Sequence, residues 1–185
     1  MAEPENKGER IAKRLSRAGL CSRREAERWI EAGRVTIDGT KISTPATLVT
    51  DQSVITVDGK RIGEPEQPKL WRYHKPRGVL STNSDPEDRP TVFDHLPKEL
   101  PRVMLVGRLD LNSEGLLLLT NDGELARQLE LPSTGWVRRY RVRAYGSLDE
   151  SRLESLADGI TVDGIQYGEI QAQLEKRRGD NSWIS

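Results

Sequence analysis

Four consecutive leucines, Leu116-Leu117-Leu118-Leu119, stand between Gly115 and the turn formers Asn121-Asp122-Gly123. An unbroken apolar run of this length, bounded by a glycine and a turn, predicts a fully buried strand. Whatever is attached to such a strand inherits a rigid support. The segment leading into it, Gly107-Arg108-Leu109-Asp110-Leu111-Asn112-Ser113-Glu114, sets a carboxylate beside an arginine in a polar turn. A side chain carried there can be aimed by the core element behind it. The competing reading is that Asp110 stabilises its own turn by bonding nearby backbone.

The rest of the chain divides around a short linker. Ile11, Leu15 and Ala18 recur at helical spacing before Gly19, and Ser22-Arg23-Arg24-Glu25 has the pattern of a capping box for a second helix carrying Ala26, Trp29 and Ile30. Gly33 closes that helix. Val35-Thr36-Ile37 alternates as a strand and runs into Asp38-Gly39, a hairpin signal. The same chemistry returns at Ile55-Thr56-Val57-Asp58-Gly59 and at Ile160-Thr161-Val162-Asp163-Gly164. Residues 63–68, with acids, prolines and no apolar period, read as a linker. Strands are expected at 70–74, 105–108, 116–120 and 137–145. Helices capped by Asn121 with Glu124, and by Ser147 with Glu150, separate them. The domain plan is a polar, disordered tail at 1–8, a small domain at 9–62, the linker at 63–68 and a second domain at 69–185. Strands mixed with intervening helices make the class α+β.

Charge argues by position rather than by sum. The 29 basic and 29 acidic residues cancel. Basic residues nevertheless crowd 10–34 and 138–143, where a polyanionic partner would be met. Glu25, Glu27 and Glu31 interleave with Arg23, Arg24, Arg28 and Arg34, so the pattern is equally that of a solvated helix face. The single cysteine and two histidines exclude an internal disulfide and a metal-ligand cluster. Neither a signal region nor an apolar span is present, which makes the cytoplasm the expected compartment.

Five stretches carry a resemblance. They are Gly107-Arg108-Leu109-Asp110 with the strand and turn after it; Tyr73-His74-Lys75-Pro76-Arg77-Gly78; Arg89-Pro90-Thr91-Val92-Phe93-Asp94 with Leu96-Pro97; Arg138-Arg139-Tyr140-Arg141-Val142; and the arginine-bearing helix pair with its small sheet. Together they resemble the bacterial ribosomal pseudouridine synthases of the RsuA/RluB type, in which an S4 RNA-binding domain precedes the catalytic domain. The implied fold is a small αα-plus-sheet S4-like domain followed by a mixed α/β pseudouridine synthase domain. In that family the catalytic domain continues beyond a segment like Asn181-Ser182-Trp183-Ile184 into a further basic strand and helix. The domain is therefore expected to be C-terminally incomplete here.

The resemblance implies an isomerase that converts uridine to pseudouridine at one site of ribosomal RNA, expected to be 23S rRNA, with no cofactor and no metal. Asp110 matches the family's catalytic aspartate, acting either as a nucleophile or by taking a ribose proton as the base leaves. Arg108, Tyr140 and Lys75 are the implied substrate-binding residues, with Tyr140 stacking on the base. Arg23, Arg24, Arg28, Arg139 and Arg141 are the implied RNA contacts. The partner is ribosomal RNA or a pre-ribosomal particle, met as a monomer and away from membranes. Two other readings stay open: an RNA-binding protein with an inactive or truncated synthase half, and a glycosidase in which Glu114 supplies the second acid.

Overall fold

The computed structural model describes residues 8–185, so all but Gly8 of the tail expected at 1–8 lies outside the described residues. These residues form two compact units, divided between Thr134 and Gly135. The first opens with β1 (Glu9–Arg10), α1 (Ile11–Arg17) and α2 (Arg23–Glu31). A small sheet follows from β2 (Val35–Ile37), β3 (Thr40–Lys41), β5 (Ile55–Val57) and β6 (Lys60–Arg61), while β4 (Leu48–Val49) pairs with β1 instead. Ile11, Leu15, Ala26 and Ile30 close onto Val35, Val49 and Ile55, the apolar stripes meeting as their spacing requires.

Ser22 caps α2 as expected, its hydroxyl accepting the Glu25 amide at 3.1 Å. The reciprocal half of the box is not made. Glu25 turns instead to its own helix, where it accepts the Trp29 indole N–H at 2.9 Å and pairs with Arg28. A half-buried indole needs an acceptor, and this carboxylate supplies it.

The sheet order is β3-β2-β5-β6, antiparallel throughout. Asp38-Gly39 and Asp58-Gly59 have φ of 50° and 80°, and of 49° and 76°. Positive φ at both central residues marks a type I′ turn, matching the twist of the strands it joins.

The same unit continues through β7 (Leu70–Lys75), β8 (Met104–Val106), β9 (Gly115–Thr120) and α3 (Gly123–Glu130). β9 is the central strand, antiparallel to β7 and β8. Its burial differs from expectation. Leu117 and Leu119 are buried, but Leu116 on the other face is 66% exposed. An antiparallel sheet can pack one face and leave the other open. Here the packed face meets Val79, Val92, Leu105 and Leu109.

Asn121 does not cap α3. It ties down the linker, accepting from the Lys69 amide at 2.7 Å and donating to the Gln67 carbonyl at 3.1 Å. The cap is Asp122, whose carboxylate accepts the amides of Glu124 and Leu125, both at 2.8 Å. This helix start also receives α1: Lys13 pairs with Glu124, and Arg17 Nε lies 3.9 Å from the Asp122 carboxylate.

The second unit holds β10 (Val142–Tyr145), α4 (Glu150–Glu154), β11 (Ile160–Val162), β12 (Ile165–Tyr167), β13 (Leu174–Arg178) and β14 (Asn181–Ile184). Its three-stranded sheet runs β10-β14-β13, and β11 and β12 form a third Asp-Gly hairpin, with φ of 51° at Asp163 and 77° at Gly164. The strand expected from 137 starts only at Val142, where pairing with Ile184 begins. α4 is capped by Asp149 rather than Ser147, through the Ser151 amide at 3.0 Å. Among the described residues no helix is long and apolar enough to cross a membrane.

Candidate active site

The loop before β9 is held almost entirely by its backbone. Gly107, with φ of 72°, turns the chain out of β8, so the strand expected through Arg108 ends at Val106. Leu109 then packs against the core of Val79, Val92 and Leu117, and the next side chain, Asp110, is exposed. The Asp110 carbonyl accepts the Ser113 amide at 3.0 Å, closing a tight turn. Among the described residues its carboxylate bonds no backbone, so the turn-stabilising role is filled by the main chain and the acid is left at the surface.

Lys75 lies under this loop. It is 0% exposed, and its ammonium donates to the carbonyls of Asp110 and Ser113, both at 2.9 Å, and of Pro76 at 3.1 Å. Burial pulls its pKa below the ordinary lysine value, while the negative charge of Asp110 pushes it back up. All three N–H bonds go to backbone, so the ammonium of Lys75, implied by the resemblance as a substrate-binding group, is engaged by this loop. It clamps the loop from below.

Two further contacts come from the residues after it. The Gly78 amide donates to the Leu111 carbonyl at 2.8 Å from a backbone with φ of 78°, a conformation that favours glycine. The Ser81 hydroxyl donates to the Leu109 carbonyl at 2.7 Å and accepts the Leu109 amide at 3.1 Å. The carbonyls of Leu109, Asp110, Leu111 and Ser113 are thus all taken by residues 75–81. Sequence reading missed Gly78 and Ser81. Their signal was the spacing of a glycine and a small hydroxyl after the Lys-Pro step, which has meaning only once the loop is known to sit above.

Arg108 is exposed and makes no ion pair with Asp110 among the described residues. Arg77 points to Glu114 at 3.6 Å, which occupies the acid considered as a second catalytic group. Beside the loop, Asp85 accepts from Arg89 Nε at 2.9 Å and Nη2 at 2.8 Å, and this arginine holds its carboxyl at a pKa of about 2. A folded pKa below the ordinary carboxylate value gives a contact that is complete above about pH 4 and is lost as pH falls towards 2. Amide exchange at Arg89, whose N–H also reaches Asp85, is expected to stay slow down to about pH 4 and to quicken below it.

On the helix pair, Arg23 and Arg24 are exposed, while Arg28 is engaged by Glu25 and Arg34 by Asp58 and the face of Trp29, 4.8 Å away. The α1 cations are taken by Glu9, Asp51, Asp122 and Glu124. A cleft of about 690 Å³, lined by Arg10, Lys13, Arg23 and Glu27 among others, lies apart from the Asp110 loop. In the second unit, Tyr140 is half-exposed in the irregular segment before β10, next to exposed Arg139 and to Arg141, which donates to Glu175 at 2.7 Å.

Comparison with known proteins covers nearly the whole chain. Residues 69–182 match the family described as RNA pseudouridylate synthase, and residues 9–55 match the S4 domain. A Rickettsia felis protein named as an uncharacterised RNA pseudouridine synthase is 50% identical over 176 residues, covering 95% of this chain and 76% of the relative. Ribosomal large subunit pseudouridine synthase B of Salmonella typhi is 44% identical over 184 residues, covering 96% of this chain and 63% of that protein. A crystal structure of a pseudouridylate synthase superposes with a TM-score of 0.53 at 22% identity, covering 95% of this chain and 75% of the other.

Proposed function

The chain belongs to the RNA pseudouridylate synthase family and carries an S4 domain at its N-terminal end, and from that premise we propose that it isomerises one uridine of large-subunit (23S) ribosomal RNA, in the cytoplasm and as a monomer, with Asp110 as the catalytic carboxylate. The reaction is an internal rearrangement. The bond from ribose C1′ to uracil N1 breaks, the base turns, C5 bonds to C1′, and the proton lost from C5 is balanced by one gained at N1. It requires a negative charge at the sugar while the base departs, supplied by a nucleophile or by a base that takes a ribose proton.

The observation that carries this reading is an exposed carboxylate on a loop whose four backbone carbonyls are anchored from beneath. Positioning of this kind costs no reorganisation when the substrate arrives. A binding protein with a vestigial synthase half has no use for a buried ammonium spent on that loop, which counts against the alternative. The large-subunit target rests on the name of the Salmonella relative.

Uridine must leave its stack to reach an exposed acid, at a cost of a few kcal/mol. The family resemblance assigns Arg108, on the Asp110 loop, to the substrate and, in the second unit, Tyr140 to the base and Arg139 and Arg141 to phosphate. The S4 domain supplies the remaining contacts through Arg23, Arg24 and Arg28. Since Arg28 is already engaged by Glu25, Arg23 and Arg24 carry most of the phosphate binding. Replacing both with alanine is expected to lower the slope of log K against log salt by about one to two, following about 0.7–0.9 per phosphate contact. Equilibrium binding to rRNA fragments at several salt concentrations measures it, and an unchanged slope removes these residues from the interface.

The function itself is tested with unmodified large- and small-subunit rRNA. Primer extension after carbodiimide treatment is expected to stop at one new position in the large-subunit RNA only. Stops confined to the small-subunit RNA would overturn the target, and no stops in either would overturn the activity.

A further inference from the structure

We propose that Ser81 is a positioning residue for the isomerisation, setting where Asp110 stands by gripping both backbone polar groups of the residue before it. This rests on the assignment of Asp110 as the catalytic carboxylate. The Ser81 hydroxyl is donor to the Leu109 carbonyl at 2.7 Å and acceptor of the Leu109 amide at 3.1 Å. A hydroxyl is among the few side-chain groups able to do both at one atom. Leu109 is the hinge of the site, since its side chain is packed in the core and the next side chain is the acid at the surface.

Ser81 follows a residue whose two backbone polar groups are both bonded. The Leu80 amide donates to Pro90 O and the Val92 amide to Leu80 O, both at 2.9 Å. The intervening loop is closed by the pair Asp85 and Arg89. The hydroxyl therefore stands on a braced support rather than on a mobile tip. The clamps at Lys75 and Gly78 reach Asp110, Leu111 and Ser113, whereas among the described residues Ser81 is the one hydrogen-bond partner of the residue preceding the acid. Without it, the Asp110 side chain pivots about a loop still tethered downstream. Displacements on the order of 1 Å at a reacting group cost about 100-fold in rate.

The test compares Ser81→Ala, Ser81→Thr and Asp110→Asn in steady-state, multiple-turnover conversion of rRNA, with RNA affinity and Leu109 amide exchange measured in parallel. Ser81→Ala is expected to lower kcat by about 10- to 100-fold, with KM and RNA affinity within about twofold of wild type. The Leu109 amide should exchange faster, and Ser81→Thr, which restores a hydroxyl, should recover most of the rate. Ser81→Cys, with a weak donor and acceptor of similar size, should fall between; it carries the comparison if the alanine variant does not fold. Wild-type kcat in Ser81→Ala, a matching rise in KM, or a threonine variant as slow as alanine would overturn the role of Ser81 while Asp110→Asn stays inactive. Activity in Asp110→Asn would instead remove the assignment of Asp110, and this role with it.

Discussion

Asp110→Asn is expected to lower the rate of pseudouridine formation by about a thousand-fold or more, with RNA affinity within about twofold of wild type. The substitution is nearly isosteric, and every bond that shapes the loop uses backbone rather than the Asp110 side chain. What disappears is the negative charge facing the sugar. Neither a nucleophilic attack nor removal of a ribose proton can be performed by an amide. A positional effect would resemble a partial loss recoverable by Glu, whereas loss of the chemistry leaves only what binding and orientation supply. Single-turnover conversion of unmodified rRNA, read beside a filter-binding titration, separates the two. Equal conversion by wild type and Asp110→Asn would place the chemistry on another residue.

Lys75→Met is the second large effect, and it acts on stability as well as rate. The variant keeps the buried stem but removes three donors from three carbonyls. Hydrogen bonds to a charged group contribute about 1.5–3 kcal/mol each. Against this stands the cost of burying an ammonium, several kcal/mol. The net expectation is a loss of about 2–4 kcal/mol, since truncating one side takes the ammonium from the carbonyls of Ser113 and Pro76 and leaves that of Asp110 with the Ser113 amide alone. The urea midpoint should fall with little change in slope, and kcat should fall in the fraction that remains folded. An unchanged midpoint would mean that the ammonium gains no more than its burial costs.

Residues whose chemistry is local were readable from the chain, and those whose partners are distant were not. Asp-Gly after a β-branched triplet, Val-Thr-Ile once and Ile-Thr-Val twice, produced the same turn three times, because φ above zero at two successive residues is a local demand. The helix pair followed from its apolar spacing and from Ser22. Caps were placed one or two residues off at Asn121 and Ser147, since several neighbouring side chains there can accept an amide and tertiary contacts choose among them. Asn121 was claimed by the linker, leaving Asp122 to the helix. The leucine run was read as buried on both faces because periodicity cannot report which face of a sheet is covered. Lys75 was the largest miss of the site. A lysine beside proline and glycine looks solvated until a loop 35 residues away supplies the carbonyls that let it be buried.

Two ends of one strand have separate attachments. At the Gly115 end of β9 stands the loop bearing Asp110; past its Thr120 end, Asp122 and Glu124 receive Arg17 and Lys13 of α1. Five steps of extended chain, about 17 Å, thus separate the end of β9 beside the Asp110 loop from the end beside the attachment of α1. On the proposed assignment of Asp110 and the S4 arginines, such an arrangement works as a caliper: it admits a uridine by how far that nucleotide lies from a gripped landmark. Neighbouring uridines with the same base but the wrong stand-off are passed over without any contact having to tell them apart.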